Sequence, residues 1–230
     1  MPDPYAAYKQ QAADLALEAV RSGMLVGLGS GSTAILAVRR LGEWLRAGQL
    51  HDILGVPTSL QVEQEAGRAG IPLTTLEQGT RLDLTIDGAD EVDPAFNLFK
   101  GGGGALLREK IVAQASRREI IVVDERKLVP ALGAHFPVPV EVLPFGWGAQ
   151  AAYLSSLGAI PSLRRNPDGS PYLTDQHNYI LDCAFGPIPD PAGLARLLES
   201  RAGLLGHGLF IGLASEVIVA GPSGCRRLTK

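Results

Sequence analysis

The sequence predicts an α/β fold in which a Rossmann-like domain with a parallel sheet carries a smaller inserted α+β domain of the ferredoxin-like type. Two observations lead to this prediction. Over residues 24–124, short apolar runs of strand length alternate with segments of helical periodicity, a pattern typical of βαβ units. Over residues 137–210 the predicted order changes to βαββαβ, which is the order of the ferredoxin-like motif.

The first domain begins with a predicted helix over residues 5–21, where apolar side chains recur at helical spacing until Gly23. MLVGLG then predicts a buried strand, and SGSTA leads into a helix over ILAVRRLGEWLRAG. The alternation continues through ILGVPTS, residues 60–69, IPLTTL, LDLTIDGADEVDP, ALLREKIVAQAS and the strand EIIVVDERK, and LDLTIDGADEVDP is expected to break into a turn at Asp87. Parallel strands joined by such helices are covered by helices on both faces.

The second domain is predicted from the next six segments, which are PVPVEVLP, AQAAYLSSLG, PSLRR, NYILDCAF, PAGLARLLES and LLGHGLF. The turn-forming residues NPDGSP separate the two middle strands. We expect the final segment, SEVIVAGPSGCRRLTK, to return a strand to the first sheet. The predicted domains are residues 1–130 with 208–230 for the α/β domain and 131–207 for the ferredoxin-like domain.

Composition argues against several classes of protein. The hydrophobic fraction of 46% and the charged fraction of 20% are ordinary for a globular protein, and a net charge of −3 provides no basic field for nucleic acid. No apolar run approaches the roughly 20 residues that a membrane helix needs. The N-terminal residues lack the pattern of a signal peptide, and the two cysteines are far apart in the sequence, as expected of reduced thiols. We therefore expect a cytoplasmic protein that binds neither nucleic acid nor membrane.

Candidate functional residues follow the ends of predicted strands, where ligands bind to open parallel sheets. Residues 30–33, Ser-Gly-Ser-Thr, follow the first strand and open a helix, so their N–H and hydroxyl groups could hold an anion. The same residues could instead do no more than cap the helix. Residues 29–34 also fit the loose dinucleotide pattern G-x-G-x-x-G/A, but Pro57-Thr-Ser stands where that pattern needs an acid.

An acidic cluster follows the third predicted strand. Asp87 and Asp90 lie at the strand end with a glycine between them, whereas Asp93 precedes a proline and fits a solvated turn. Carboxylates of this kind can bind Mg²⁺ in principle, but the four histidines show no metal-ligand spacing. Asp87 and Asp90 are therefore candidate site residues, and we expect no metal.

A run of four glycines connects Lys100 to a predicted helix that carries Glu109. Glycine is costly to order, but it lets the backbone approach a ligand without a Cβ atom. A carboxylate base beside a fixed positive charge suits the removal of a proton next to a carbonyl, because the enediolate that forms is negative. A flexible surface loop is the ordinary alternative for such a glycine run.

With these motifs together, the sequence resembles the ribose-5-phosphate isomerase A family. The phosphate turn of that family, commonly T-G-S-T, appears at residues 30–33, and its D-G-A-D at residues 87–90. Its K-G-G-G appears at residues 100–103 and its R-E-K at residues 108–110. Its lysine after the I-x-x-D strand is Lys127. Ser30 replaces the usual threonine, and Gly104 extends the glycine run where alanine is common.

The resemblance implies interconversion of D-ribose 5-phosphate and D-ribulose 5-phosphate in the non-oxidative pentose phosphate pathway, through an enediol(ate) and without metal or cofactor. It implies that Glu109 is the base, that Asp87 assists ring opening, and that Asp90 and Lys100 act on the two reacting oxygens. The implied substrate-binding residues are Ser30, Gly31, Ser32, Thr33, Asp87, Gly88, Ala89, Asp90, Lys100, Gly101, Gly102, Gly103, Lys127 and Lys9. The implied assembly is a homodimer or a homotetramer.

Two other functions are compatible with parts of the sequence. A non-catalytic sugar-phosphate-sensing domain would need a DNA-binding helix-turn-helix, for which too few residues precede the first strand. Such a sensor would also have no need of Glu109. A nicotinamide-dependent oxidoreductase would need the ribose-binding acid that is missing after the second strand. We therefore expect an isomerase.

Overall fold

The computed structural model of the chain describes residues 5–77 and 81–230. The helices, in chain order, are α1 (Ala6–Leu17), α2 (Ala34–Arg46), α3 (Leu60–Ala69), α4 (Leu106–Gln114), α5 (Trp147–Ser156) and α6 (Pro191–Glu199). The strands are β1 (Leu25–Leu28), β2 (Leu54–Pro57), β3 (Leu84–Asp87), β4 (Glu91–Val92), β5 (Leu98–Phe99), β6 (Glu119–Asp124), β7 (Val138–Val142), β8 (Ile160–Leu163), β9 (Tyr179–Ala184), β10 (Leu204–His207), β11 (Leu209–Phe210), β12 (Glu216–Gly221) and β13 (Gly224–Thr229). None of these helices is long and apolar enough to cross a membrane.

The chain forms two compact units. The first consists of Met1–Ala89, Arg108–Leu128 and Gly212–Lys230, and the second of Asp90–Leu107 and Val129–Ile211. The sequence-based domains differ from these units mainly at residues 90–107, which sequence analysis places in the α/β domain. The physical reason is pairing: β4 and β5 pair with each other, and β5 also pairs with β11 of the second unit.

The first unit contains a six-stranded sheet in the order β13-β12-β6-β3-β1-β2. Every neighbouring pair is parallel except β12 and β13, which form an antiparallel hairpin. The predicted return of the last segment to this sheet is therefore confirmed at β12, whereas β13 was not predicted. The strand β6 is buried along its whole length, as expected of a central parallel strand.

Helices α1, α2 and α3 belong to the first unit and bury apolar stripes in its main core. In α2, Ala34, Ala37, Val38 and Leu41 are buried at helical spacing. The helix α1 is shorter than the predicted helix of residues 5–21. After Leu17 the backbone makes tighter i to i−3 hydrogen bonds, which end the α-helical geometry before Gly23.

The second unit contains an antiparallel four-stranded sheet in the order β10-β7-β9-β8. Helix α5 connects β7 to β8 and α6 connects β9 to β10, so the predicted ferredoxin-like order βαββαβ is confirmed. The core of this unit includes Val140, Leu154, Leu181 and Leu198, each at most 1% exposed. Asp190 caps α6 by accepting a hydrogen bond from Gly193 N at 2.8 Å.

The segment LLGHGLF is one strand in the sequence prediction, and that prediction is wrong in detail. The structure divides it into β10, which joins the four-stranded sheet, and β11, which joins the three-stranded sheet β11-β5-β4. Gly208 lies between the two strands, and a Cβ atom there would be 2.3 Å from the carbonyl oxygen of Lys100. The absence of a side chain therefore lets the chain pass from one sheet to the other beside the backbone of Lys100.

A buried carboxyl group lies in the middle of β7. Glu141 is fully buried, and its Oε1 accepts hydrogen bonds from Thr174 Oγ1 at 2.8 Å and Asn178 Nδ2 at 2.9 Å. Among the described residues, its Oε2 has no hydrogen-bond donor. Burial raises the pKa of Glu141, and the two hydrogen bonds only partly oppose this rise.

We expect the stability of Glu141→Gln, relative to the unsubstituted protein, to increase as pH rises above the ordinary pKa of a glutamate, about 4.3. Because the pKa of Glu141 is higher in the folded state, the protonated group contributes stability below the unfolded-state pKa, and this contribution is lost as pH rises through the folded-state pKa. Gln cannot ionise, so it avoids that loss. Urea unfolding at several pH values measures the difference, with the exposed Glu63→Gln as control. A difference that does not change with pH would contradict the expectation.

Candidate active site

The carboxylate of Asp87 is tied to the backbone at the end of the parallel sheet. Asp87 is the last residue of β3 and is fully buried, and its Oδ1 accepts hydrogen bonds from Ser30 N at 3.0 Å and Gly88 N at 2.7 Å. A Cβ atom at Gly29 would lie 2.4 Å from the Cα atom of Asp87. Glycine at position 29 therefore allows the ends of β1 and β3 to approach each other closely.

The hydroxyl of Ser30 connects the turn after β1 to the end of β2. Its Oγ lies 2.8 Å from Thr58 Oγ1 and donates to Ser59 Oγ at 3.0 Å. Ser59 also caps α3 by accepting a hydrogen bond from Val62 N. Thr58 and Ser59 belong to the polar cluster that follows the second predicted strand, but they are not among the site residues predicted from the sequence. Their position directly after a strand is the signal that could have selected them.

The remaining residues of the turn lead into α2. Gly31 has a φ of 92°, a backbone conformation that favours glycine. Thr33 is the N-cap residue of α2, but its side chain makes no capping hydrogen bond. Ser32 is exposed, and its Oγ accepts a hydrogen bond from Lys9 Nζ at 2.9 Å. A lysine beside the N-terminus of a helix makes a positive environment that suits an anion.

Glu109 lies in the first turn of α4 and is only 5% exposed. The N-terminal turn of a helix favours a negative charge, and burial shields the carboxyl group from water.

Lys127 ends the short 3₁₀ helix Glu125–Lys127 and is half-buried. The neighbouring Asp124 is engaged by Arg126, whose guanidinium donates to both carboxylate oxygens at 2.8 Å. Burial raises the pKa of Asp124, but the bonds and charge of Arg126 outweigh burial and hold the pKa below its usual range.

Lys100 and Asp90 lie in the second unit. Lys100 is 2% exposed, its backbone N–H donates to Gly208 O at 2.8 Å, and its Nζ lies 5.5 Å from the centre of the Phe210 ring. Asp90 Oδ2 accepts a hydrogen bond from Gly102 N at 2.9 Å. The glycine run is therefore directly bonded to one of the candidate carboxylates.

Glu91 follows Asp90 in the sequence and is not among the predicted site residues. Its side chain is fully buried. Its Oε2 accepts from Gly133 N at 2.6 Å and its Oε1 from His135 N at 2.7 Å. The two bonds from backbone N–H groups hold the loop after β6 against β4. Glu91 therefore has a structural role, and no local pattern in the sequence distinguishes it from its acidic neighbours.

The four glycines of the run, Gly101 to Gly104, do not have equal roles. Gly101 and Gly104 have φ values of 101° and 84°, and a Cβ atom at Gly104 would lie 2.3 Å from Tyr172 Oη. A Cβ atom at Gly102 would lie 3.0 Å from Asp90 Oδ2. At Gly103, by contrast, nothing lies within 4 Å of a Cβ atom. Local geometry thus requires glycine at the first and last positions of the run.

The two units each bring some of the predicted residues together. In the first unit, the turn of residues 30–33, Asp87 and Lys9 are joined by hydrogen bonds, and this unit also contains Gly88, Ala89, Glu109 and Lys127. In the second unit, Asp90 is bonded to the glycine run that follows Lys100. Within the described ranges, no group of three or more His, Cys, Asp or Glu side chains is placed to hold a metal ion.

Comparison with known proteins decides the family. The family model described as ribose 5-phosphate isomerase A (phosphoriboisomerase A) matches residues 54–224. The ribose-5-phosphate isomerase A of Chloroflexus aurantiacus is 56% identical over 221 residues, covering 96% of this chain and 92% of that protein. The chain belongs to the ribose-5-phosphate isomerase A family. The member from Desulfatibacillum aliphaticivorans is 50% identical, and the alignment covers 96% of each chain.

Solved structures of ribose-5-phosphate isomerases have the same fold. A D-ribose-5-phosphate isomerase in complex with phospho-erythronic acid superposes with a TM-score of 0.95 at 40% identity, covering 97% of this chain and 98% of that one. The ribose 5-phosphate isomerase A of Methanocaldococcus jannaschii superposes with a TM-score of 0.93 at 36% identity, covering 98% of this chain and 100% of that one. The family resemblance and the predicted fold class are therefore confirmed.

We expect Gly104→Ala to lower the free energy of unfolding by about 1–2 kcal/mol, because alanine is strained at a positive φ. The added Cβ atom would also displace Tyr172. We expect Gly103→Ala to be neutral or to stabilise the protein by up to about 1 kcal/mol, because alanine restricts the unfolded chain. Urea unfolding of both variants provides the measurement. Equal effects of the two substitutions on the free energy of unfolding would contradict the expectation that backbone conformation decides which position requires glycine.

Proposed function

We propose that this protein interconverts D-ribose 5-phosphate and D-ribulose 5-phosphate through an enediol(ate), with Glu109 as the base. Membership of the ribose-5-phosphate isomerase A family carries this activity. In the proposed reaction Glu109 removes the proton from C2 of the open-chain aldose and returns it to C1. A buried carboxylate in the first turn of α4 supports this role, because it is shielded from water and fixed to a rigid helix.

We propose that Asp87 assists ring opening. An aldopentose 5-phosphate in its ring form has no carbonyl group, so a proton must move from the C1 hydroxyl to the ring oxygen before isomerisation begins. Two backbone N–H groups hold the Asp87 carboxyl group in one orientation. A carboxyl group fixed in this way is suited to take a proton from one oxygen and deliver it to another.

Asp90 and Lys100 are proposed to act on O1 and O2, between which a proton moves during the reaction. The ammonium group of Lys100 would stabilise the negative charge of the enediolate, and a charge that is 2% exposed acts more strongly than one in water. Asp90 would carry the proton between the two oxygens. Its carboxylate is oriented for this task by Gly102 N.

We propose that residues 30–33 and the N-terminus of α2 bind the phosphate group, with Lys9 and Lys127 as further contacts. The bond from Lys9 to Ser32 supports a positive environment at this turn. The structure of a related D-ribose-5-phosphate isomerase was solved in complex with phospho-erythronic acid. A phosphorylated sugar acid of that kind is therefore the probe that we propose for binding to this chain.

We further propose that the protein is a cytoplasmic homodimer or homotetramer. Several large apolar side chains of the second unit are exposed, including Phe145 at 92% and Ile160 at 77%, and such surfaces favour association. Both cysteines are free, and burial raises the pKa of Cys183 to about 12, which fits an unreactive thiol in a reducing compartment. A sedimentation mass equal to that of the 24.2 kDa chain would contradict the assembly, and cell fractionation tests the compartment.

We expect Glu109→Gln to lower kcat by about 10²–10⁴-fold, because the amide cannot accept the C2 proton. Ketose formation from D-ribose 5-phosphate, with EDTA present and nicotinamide absent, measures the rate. Calorimetry with phospho-erythronic acid measures binding, which we expect to be retained. Glu43→Gln, on the exposed face of α2, is the matched control for the same chemical change.

Three outcomes would contradict parts of this proposal. An active Glu109→Gln variant would remove Glu109 from its role as the base. Binding of phospho-erythronic acid without turnover by the unsubstituted protein would indicate a sugar-phosphate sensor. Neither binding nor turnover would contradict the assigned substrate.

A further inference from the structure

Arg164 is the centre of a hydrogen-bond network in the second unit. It directly follows β8, and its guanidinium donates from Nε to Asp182 Oδ2 at 2.9 Å and from Nη2 to Asp182 Oδ1 at 2.5 Å. The side chains of Arg164 and Asp182 are only 17% and 22% exposed. A two-bond pair of this kind fixes the plane of the guanidinium group, because both of its contacts must be kept together.

The third nitrogen of that guanidinium group reaches the glycine run. Arg164 Nη1 donates to the carbonyl oxygens of Gly101 at 3.0 Å and Gly102 at 3.2 Å. Tyr172, eight residues further along the same hairpin, donates its hydroxyl proton to the carbonyl of Gly103 at 3.2 Å. Three consecutive carbonyl groups of the run therefore accept hydrogen bonds from side chains of the ferredoxin-like sheet and its connecting loop.

The contact to Gly101 has a direct consequence for Asp90. The carbonyl of Gly101 and the N–H of Gly102 belong to one peptide group, and a trans peptide is planar with its C=O and N–H pointing in opposite directions. Arg164 binds one end of this group, and Asp90 Oδ2 accepts from the other end at 2.9 Å. The order of contacts is therefore Asp182, Arg164, the peptide group and Asp90.

Glycine leaves this peptide group with little restraint other than its hydrogen bonds, which include the turn bond from Gly104 N to Gly101 O at 3.0 Å and the bond from Arg164. A peptide group between two glycines has no side chains to restrict its rotation, and glycine populates positive and negative φ about equally. A rotation of the Gly101–Gly102 peptide group would remove the N–H from Asp90. The positive charge of Arg164 opposes this rotation, since it would leave the guanidinium without the Gly101 carbonyl. The same charge polarises the peptide and strengthens its N–H as a donor.

We propose that Arg164 is a positioning residue for the isomerase reaction, setting the orientation of the Asp90 carboxylate through the Gly101–Gly102 peptide group. This inference depends on the proposed role of Asp90. Arg164 contacts the run beside Asp90, whereas the proposed phosphate-binding residues 30–33 belong to the first unit. Loss of Arg164 therefore affects the proton transfer between O1 and O2 more than it affects substrate capture.

The test compares Arg164→Lys with Arg165→Lys. Both substitutions keep the positive charge, and the two arginines are adjacent, but Arg165 is exposed and donates to the turn carbonyl of Gly169 at 2.7 Å. Lysine cannot hold Asp182 with two bonds and also reach two carbonyls. We expect kcat of Arg164→Lys to fall by about 10–100-fold with KM within about threefold. We expect the Arg165→Lys variant to keep both constants.

A second variant covers the case in which Arg164→Lys does not fold. Asp182→Asn leaves the guanidinium in place but removes one charged partner, so we expect a smaller fall in kcat, about 3–10-fold. If both singles fold, the double variant Arg164→Lys/Asp182→Asn is expected to be no slower than Arg164→Lys alone, because Asp182 acts only through Arg164. Thermal unfolding of each protein shows whether the fraction folded explains a change in rate.

Several results would overturn the proposal. The first is an unchanged kcat in Arg164→Lys, or a change confined to KM. The second is a fall in kcat that matches the fraction of unfolded protein. The third, where only Asp182→Asn folds, is an unchanged kcat in that variant. Failure of the proposed function is distinguishable from these results. In that case the unsubstituted protein itself would not isomerise D-ribose 5-phosphate, whereas loss of activity in Glu109→Gln with full activity in Arg164→Lys would overturn only the role of Arg164.

Discussion

Hydrogen bonds from backbone N–H groups to carboxylates are the interaction on which the loops of both units depend. Asp87 accepts from Ser30 N and Gly88 N, and Asp90 accepts from Gly102 N. Glu91 accepts from two N–H groups of the loop that follows β6. These three acids lie close together in the sequence, and hydrogen bonds from backbone N–H groups hold each carboxylate in place. The acidic segment at the end of β3 therefore organises the surrounding backbone, in addition to the catalytic roles proposed for Asp87 and Asp90.

Glycine has several distinct roles in this protein, and each follows from the absence of a Cβ atom. Gly29 allows the ends of β1 and β3 to approach, and Gly208 lets the chain pass beside the backbone of Lys100. Gly101 and Gly104 provide positive φ values that turn the glycine run. The conformational freedom that makes these turns possible also has to be restrained, and side chains of the second unit provide that restraint through hydrogen bonds to the carbonyls of the run.

Local pattern was sufficient for most of the architecture. Alternating apolar runs and helical segments predicted the parallel sheet, and the later change of order predicted the ferredoxin-like sheet, because both signals arise within single elements. The pairing of two-residue strands such as β4 and β5 was not predictable, since they are too short to show any periodicity. The division of LLGHGLF between two sheets depends on partners that are distant in sequence.

The sequence by itself determined the fold class, the family and the candidate residues of the reaction, because each motif keeps its chemistry-bearing residues within a few positions of each other. Only the tertiary structure decided which groups those residues touch. It joined Ser30 to Thr58 and Ser59, and it placed Arg164 on the carbonyls of the glycine run. It also showed that position 103, unlike its neighbours, has room for a side chain. These contacts connect residues far apart along the chain, and their geometry exists only after the sheets have assembled.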